Sequence, residues 1–178
     1  MNEKIYNAGF EQAIRKMNEG CFDQAIEKFQ EIIKKFPKNA KSYSKLGVCF
    51  ACQKKFSQAR TFLDKAITLD SELAEPYNNL GNICLEEKEY NSAVEYYKKA
   101  ISLNPDFAAP YSNLGLAYKR LNQYNNAVNS FKRAAEIDRK IPAKKIKEIV
   151  NHSKTKINFV NIIFIVIVLL FIWFLLSK

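Results

Sequence analysis

The sequence predicts an all-α protein: a solenoid of four stacked helix–turn–helix units, then a capping helix, then one membrane-spanning helix. Three observations predict it. A pair of amphipathic helices recurs at a fixed period of 34 residues. The residues that match from unit to unit are apolar or glycine, as a shared core requires. The chain then ends in a long apolar run of a kind that no soluble helix needs.

The third unit, Ala74 to Pro105, shows the pattern most plainly. Tyr77, Leu80, Gly81 and Cys84 fall at i, i+3, i+4 and i+7, one face of a 3.6-residue period. Ala93, Tyr97 and Ala100 make a second stripe, and Pro105 ends it. Lys88, Glu89, Tyr90 and Asn91 between them leave room only for a tight turn. One such hairpin is marginal in water, but this one recurs. Tyr43, Leu46, Gly47 and Phe50 precede it by 34 residues, with Phe56, Ala59, Leu63 and Ala66 behind them. Tyr111, Leu114, Gly115 and Tyr118 follow at the same spacing, with Tyr124, Ala127, Phe131 and Ala134. The second-helix half also extends one period back, through Phe22, Ala25, Phe29, Ile32 and Pro37.

This spacing and residue pattern resemble the tetratricopeptide repeat (TPR) family. The resemblance implies a right-handed superhelical solenoid whose first helices line a concave groove for a peptide or a partner's helix. The physics of the repeats points the same way, because a hairpin too small to bury its own face must stack on its neighbours. Gly47, Gly81 and Gly115 each cost the helix about 1 kcal/mol relative to Ala. Their recurrence at one phase predicts a facing helix too close for a side chain.

In chain order, the repeats are expected at 6–39, 40–73, 74–107 and 108–139, all but complete by residue 138. No secretory signal opens the chain. The first helix carries Phe10, Ala13, Ile14 and Met17 one residue out of phase with later repeats, as a terminal cap does. Asp23, Ser57 and Asn125 are the expected N-caps of three of the second helices. Pro37 and Pro105 close the first and third repeats. Ser71 stands in that place in the second, so a less abrupt junction is expected there. From residue 140 to 156 a basic amphipathic segment carries Ile146, Ile149 and Val150, and looks like the extra helix that covers the last repeat in TPR proteins. A helix lying on a membrane surface is the alternative.

Residues 157–176 read INFVNIIFIVIVLLFIWFLL. At 1.5 Å rise such a helix is about 30 Å long, the thickness of a bilayer's hydrocarbon core. Asn158 and Asn161 lie towards one interface and Trp173 towards the other. Only residues 177–178 follow, which is the layout of a tail-anchored, single-pass protein. Lys144, Lys145, Lys147, Lys154 and Lys156 form a basic collar before the span, so the repeats are expected in the cytoplasm.

Charge excludes a nucleic-acid surface spread over the repeats. The net charge is +10, yet residues 1–138 carry 20 Lys and Arg against 17 Asp and Glu, whereas residues 139–156 carry 7 against 1. No nucleic-acid partner is expected. Cys49 and Cys52 form a CxxC pair, but no second pair accompanies them and the sole histidine is the distant His152. No metal, cofactor or catalytic set is expected, because no base stands ready to activate a nucleophile. Unpaired core cysteines suit a reducing compartment.

The function expected is therefore recognition. Carried over from the resemblance, the groove-facing set is Lys41, Ser44, Lys45, Asn78, Asn79, Asn82, Ser112, Asn113, Lys119 and Arg120. Asn79 and Asn113, one period apart, are expected to form a short amide ladder able to pair with a peptide backbone. Lys45, Lys119 and Arg120 favour an acidic peptide, although the lysines of the chaperone-tail clamp known in some TPR proteins do not fall at the matching positions. The layout is similar to the mitochondrial fission adaptor family in architecture alone. The sequence points to a membrane-tethered adaptor that recruits a cytosolic partner. A co-chaperone or targeting receptor, or a permanent subunit of a membrane complex, are the alternatives.

Overall fold

The computed structural model describes residues 2–139. The segments 140–156, 157–176 and 177–178, with their capping, spanning and collar assignments, lie outside the described residues, as does His152. Among the described residues no helix is long and apolar enough to cross a membrane. Residues Met1–Ala135 form one compact unit, whose boundary falls within the last described helix.

Within this unit the chain makes helical hairpins. They are α1 (Asn2–Asn18) with α2 (Phe22–Lys35), α3 (Ala40–Cys52) with α4 (Phe56–Leu69), and α5 (Ala74–Glu86) with α6 (Tyr90–Leu103). Then α7 (Ala108–Arg120) is followed by α8, whose described backbone is helical over 124–139. Each of α1 to α6 packs on the next in sequence, Gly115 of α7 lies against Phe131 of α8, and first helices also touch one another, α3 on α5 and α5 on α7. Among the second helices α2, α4 and α6 no comparable approach is made. The first helices therefore form the more tightly spaced layer, and the face they share is the inner one.

The periodic glycines act as the sequence predicts. A Cβ built on Gly81 would lie 2.5 Å from Cε1 of the Tyr97 ring. On Gly47 it would lie 2.7 Å from Cγ of Leu63, and on Gly115 2.7 Å from Cε1 of Phe131. Leu63 and Tyr97 are fully buried, as is Phe29 one period earlier. Each such side chain contributes about 1.5–3 kcal/mol by leaving water. Phe131, the last of this column, keeps 37% of its surface exposed. In the first repeat Ala13, fully buried, holds the place of the glycine. Aromatic residues supply the rest of that cap: Phe10 meets Phe29 edge-on at 5.7 Å and Tyr6 meets Phe36 at 5.5 Å.

The turn inside each hairpin is the same device repeated. Gly20, Lys54, Lys88 and Asn122 stand one period apart, and all have a left-handed backbone, with φ of 76°, 59°, 66° and 60°. The next amide in each case reaches back five residues, as in Glu89 N–H to Cys84 O at 2.8 Å and Lys55 N–H to Phe50 O at 2.9 Å. This is the Schellman closure, which satisfies carbonyls that the helix end leaves open. It also corrects the expected N-caps. The second helices begin at Phe22 and Phe56, capped by Cys21 and Lys55, while Asp23 and Ser57 lie inside the first turn. Likewise α8 already includes Tyr124, ahead of Asn125. The closure returns the chain to helical geometry two residues after the left-handed one, before any side-chain cap is reached.

The junction at Ser71 is also as abrupt as its neighbours. The second helices end at Lys35, Leu69 and Leu103, one period apart, with or without proline. Asp70 Oδ1 accepts from the amide of Glu72 at 3.1 Å, and Asn104 Oδ1 does the same for Asp106 at 3.2 Å. At the second junction, which has no proline, the Asp70 side chain that mimics a backbone turn is present without it, and at the third the same Asx turn accompanies Pro105. Across the second junction Arg60 on α4 pairs with Glu87 and, at 3.6 Å, with Glu89. Both partners are partly exposed, so the link is worth at most about 1 kcal/mol.

Two stability predictions follow from this packing. Gly81→Leu drives a side chain into the buried Tyr97 ring and is expected to destabilise by about 1–3 kcal/mol or more. On helix propensity alone it would stabilise, so the sign of the shift in a denaturant melt decides between the two accounts. Lys88→Gly relieves a left-handed backbone that costs a side-chain-bearing residue about 1–2 kcal/mol. It is expected to raise the midpoint of the same melt, and a lowered midpoint would refute the turn assignment.

Candidate functional site

The expected groove residues sit on three first helices: Lys41, Ser44 and Lys45 on α3, Asn78, Asn79 and Asn82 on α5, and Ser112, Asn113, Lys119 and Arg120 on α7. They do not share one environment. Ser44 and Asn78 are buried. Lys45, Asn79, Asn82, Ser112 and Asn113 are half-buried, and Lys41, Lys119 and Arg120 are exposed.

The two amides of the expected ladder, Asn79 and Asn113, do not stand in like surroundings. Asn113 donates across to α5, from Nδ2 to Asn78 Oδ1 at 3.1 Å and to Asn82 Oδ1 at 2.9 Å. Asn82 Oδ1 also accepts from the Tyr97 hydroxyl at 2.9 Å. The reason is local: α7 approaches α5 closely enough that a donor one turn from its N-terminal end meets two carbonyl oxygens. Burial holds the Tyr97 hydroxyl well above its ordinary pKa, so it remains a donor. The network satisfies buried groups and braces repeat three to repeat four.

One repeat earlier the same positions hold different residues. Asn79 takes the place of Asn113, but Ser44 and Val48 stand where Asn78 and Asn82 stand. Ser44 Oγ is buried and has no hydrogen-bond partner among the described residues. The Asn79 amide likewise makes no hydrogen bond among them. Beside it the α3–α5 face opens into a cleft of about 280 Å³ lined by Val48, Ala51, Cys52, Phe56, Ile83 and the two asparagines Asn79 and Asn82, with Lys54 and Glu86 also in the lining. The sequence reading reached Asn79 and Asn82 but missed the apolar lining. The signal was available, since Val48, Asn82 and Leu116 form one column at the repeat period, and Leu116 is 45% exposed.

The CxxC pair divides between core and surface. Cys49 is fully buried, whereas Cys52 is exposed beside the cleft. Burial pushes the Cys49 thiol up to about 12, and burial also raises Cys52. Cys84 fills the core slot that Phe50 and Tyr118 fill elsewhere, 1% exposed, its thiol raised by burial. Thiols held protonated in this way are poor nucleophiles and poor metal ligands. Among the described residues no group of three His, Cys, Asp or Glu side chains could hold a metal ion. The arrangement offers hydrogen-bonding amides and an apolar cleft, which are the means of binding.

Models of the tetratricopeptide repeat match residues 10–74 and 108–141, and a model of the TPR repeat matches residues 81–122. The chain carries tetratricopeptide repeats. Among solved structures the TPR stack is similar to MamA, with 28% identity and a TM-score of 0.65 over 80% of this chain and 87% of that one. It is similar in fold to PilF of Pseudomonas aeruginosa, with 23% identity and a TM-score of 0.71 over 78% of this chain and 63% of that one. A third similarity of fold is to a chain of the APC/C hetero-tetramer Cut9–Hcn1, with 22% identity and a TM-score of 0.70 over 74% of this chain and 27% of that one. No curated protein matches the sequence.

The two repeat junctions predict opposite outcomes for equivalent substitutions. Asn113→Ala leaves Asn78 Oδ1, buried with 6% exposure, without its donor. A cost of about 1–3 kcal/mol is expected. Asn79→Ala removes no internal bond and is expected to shift stability by less than about 0.5 kcal/mol. Paired thermal melts check this, and equal effects would refute the assignment of Asn113 to the brace.

Proposed function

We propose that the protein is a membrane-tethered adaptor whose TPR groove recruits a cytosolic protein through an extended peptide segment. The observation that carries the reading is the unpaired Asn79 amide standing on an apolar cleft in the inner layer of first helices. TPR stacks mediate protein–protein interaction, and this one leaves free polar and apolar groups where a partner's backbone and side chain meet. The exposed cations Lys41, Lys119 and Arg120, with half-buried Lys45, favour an acidic-leaning segment. The tether is the apolar run 157–176, and the collar Lys144, Lys145, Lys147, Lys154 and Lys156 orients the repeats to the cytoplasm.

Two measurements test this. Full-length protein is expected to resist alkaline extraction from membranes, and protein ending at Lys156 to be released. A truncated protein that still pellets would transfer the tether to the basic segment before it. Proximity labelling from the N-terminus is expected to mark a cytosolic partner, and Asn79→Ala to weaken its capture about two- to tenfold. Charge reversal at Lys45 and Arg120 is expected to act additionally and to fade with salt. Capture lost instead through Lys28 or Lys132, on second helices, would place the partner on the other face.

A further inference from the structure

The two junctions between first helices differ in what they leave open, and the difference identifies what the groove holds. At α5–α7 the asparagine of the later helix is consumed by Asn78 and Asn82. At α3–α5 the acceptors are gone. Ser44 is too short to reach across, and its Oγ stays buried at 2% exposure with no partner among the described residues. Val48 replaces the second acceptor with an apolar wall.

We propose that the α3–α5 cleft is an anchoring subsite for one uncharged aliphatic or aromatic side chain of an extended peptide, with an acidic residue beside that anchor and with Asn79 holding the peptide backbone. This deepens the groove reading given above and rests on it. The floor, made by Val48, Ala51, Phe56 and Ile83, offers a charged anchor no counter-charge of its own. At about 280 Å³ the cleft lies below the range of about 300–1,000 Å³ that encloses a drug-sized molecule. Lys54 and Glu86, both lining it, carry opposite charges and give no net attraction to either sign.

The flanks are different. Helices α3, α5 and α7 together carry four cations, Lys41, Lys45, Lys119 and Arg120, against two carboxylates, Glu75 and Glu86. Lys45 lies three residues before Val48, on the same face of α3, and makes no ion pair among the described residues. An acidic residue next to the anchor therefore meets an unpaired ammonium. An amide such as Asn79 offers one donor group and one acceptor, and can pair with a peptide unit whatever its side chain.

The test is fluorescence anisotropy on the full chain in detergent micelles, with labelled synthetic peptides that place Leu, Phe, Ser or Lys beside no Glu, one Glu or two. Leu and Phe peptides are expected to bind about tenfold or more tighter than Ser and Lys peptides. Cys52→Trp, at an exposed position, fills the cleft and is expected to erase that preference. Asn79→Ala is expected to weaken all the peptides about two- to tenfold while keeping their order. Binding that ranks only with the number of acidic residues would overturn the subsite and leave the groove reading standing. Absence of binding by every peptide would overturn both. A change of oligomeric state in Cys52→Trp, with peptide binding unaltered, would assign the cleft to a second copy and also overturn the proposal.

Discussion

The contact between Tyr97 and Gly81 is the constraint on which the middle of the structure depends. The ring lies so close to α5 that even one methyl group on Gly81 would overlap it. That closeness brings the Tyr97 hydroxyl to Asn82, and Asn82 in turn holds Asn113 of the next repeat. A packing contact inside one hairpin is thereby converted into a polar brace between two. Glycine is a poor helix former, and its cost is offset by burial of a whole aromatic ring and by a satisfied hydrogen bond.

The backbone repeats more faithfully than the side chains do. The left-handed residue of the intra-repeat turn is Gly, Lys, Lys and Asn in successive units, yet φ varies only from 59° to 76°. Helix ends likewise fall at the same phase with proline or without it. Stacking explains this, because a hairpin that ended elsewhere would lose its neighbours on both sides. Departures from the repeat are tolerated on the inner face, where no neighbouring helix needs the position filled in one way.

Function is read from those departures. A perfectly regular stack would repeat the Asn78–Asn113 brace at every junction and present a closed surface. Among the described residues the brace is made once. One period earlier two acceptors are missing, Asn79 has no hydrogen-bond partner among the described residues, and an apolar cleft lies beside it. The same amide type thus braces the structure in one repeat and makes no hydrogen bond among the described residues in the one before it.

The sequence by itself determined the repeat period, the helical hairpins and the close approach at the glycines, since all three depend on residues near in the chain or on a fixed spacing. It could place Asn78, Asn79, Asn82 and Asn113 on facing helices. Only the tertiary structure decided which of them pair, because that depends on the distance between α5 and α7 and on what stands opposite each amide. The two rungs of the expected ladder differ for this reason: equal spacing in the chain gave Asn79 and Asn113 equal positions but not equal neighbours. The N-caps were misplaced for a related reason. Asp23, Ser57 and Asn125 have capping side chains, but a backbone hydrogen bond reaching back across the turn set the helix start, and side-chain chemistry had no part in that choice.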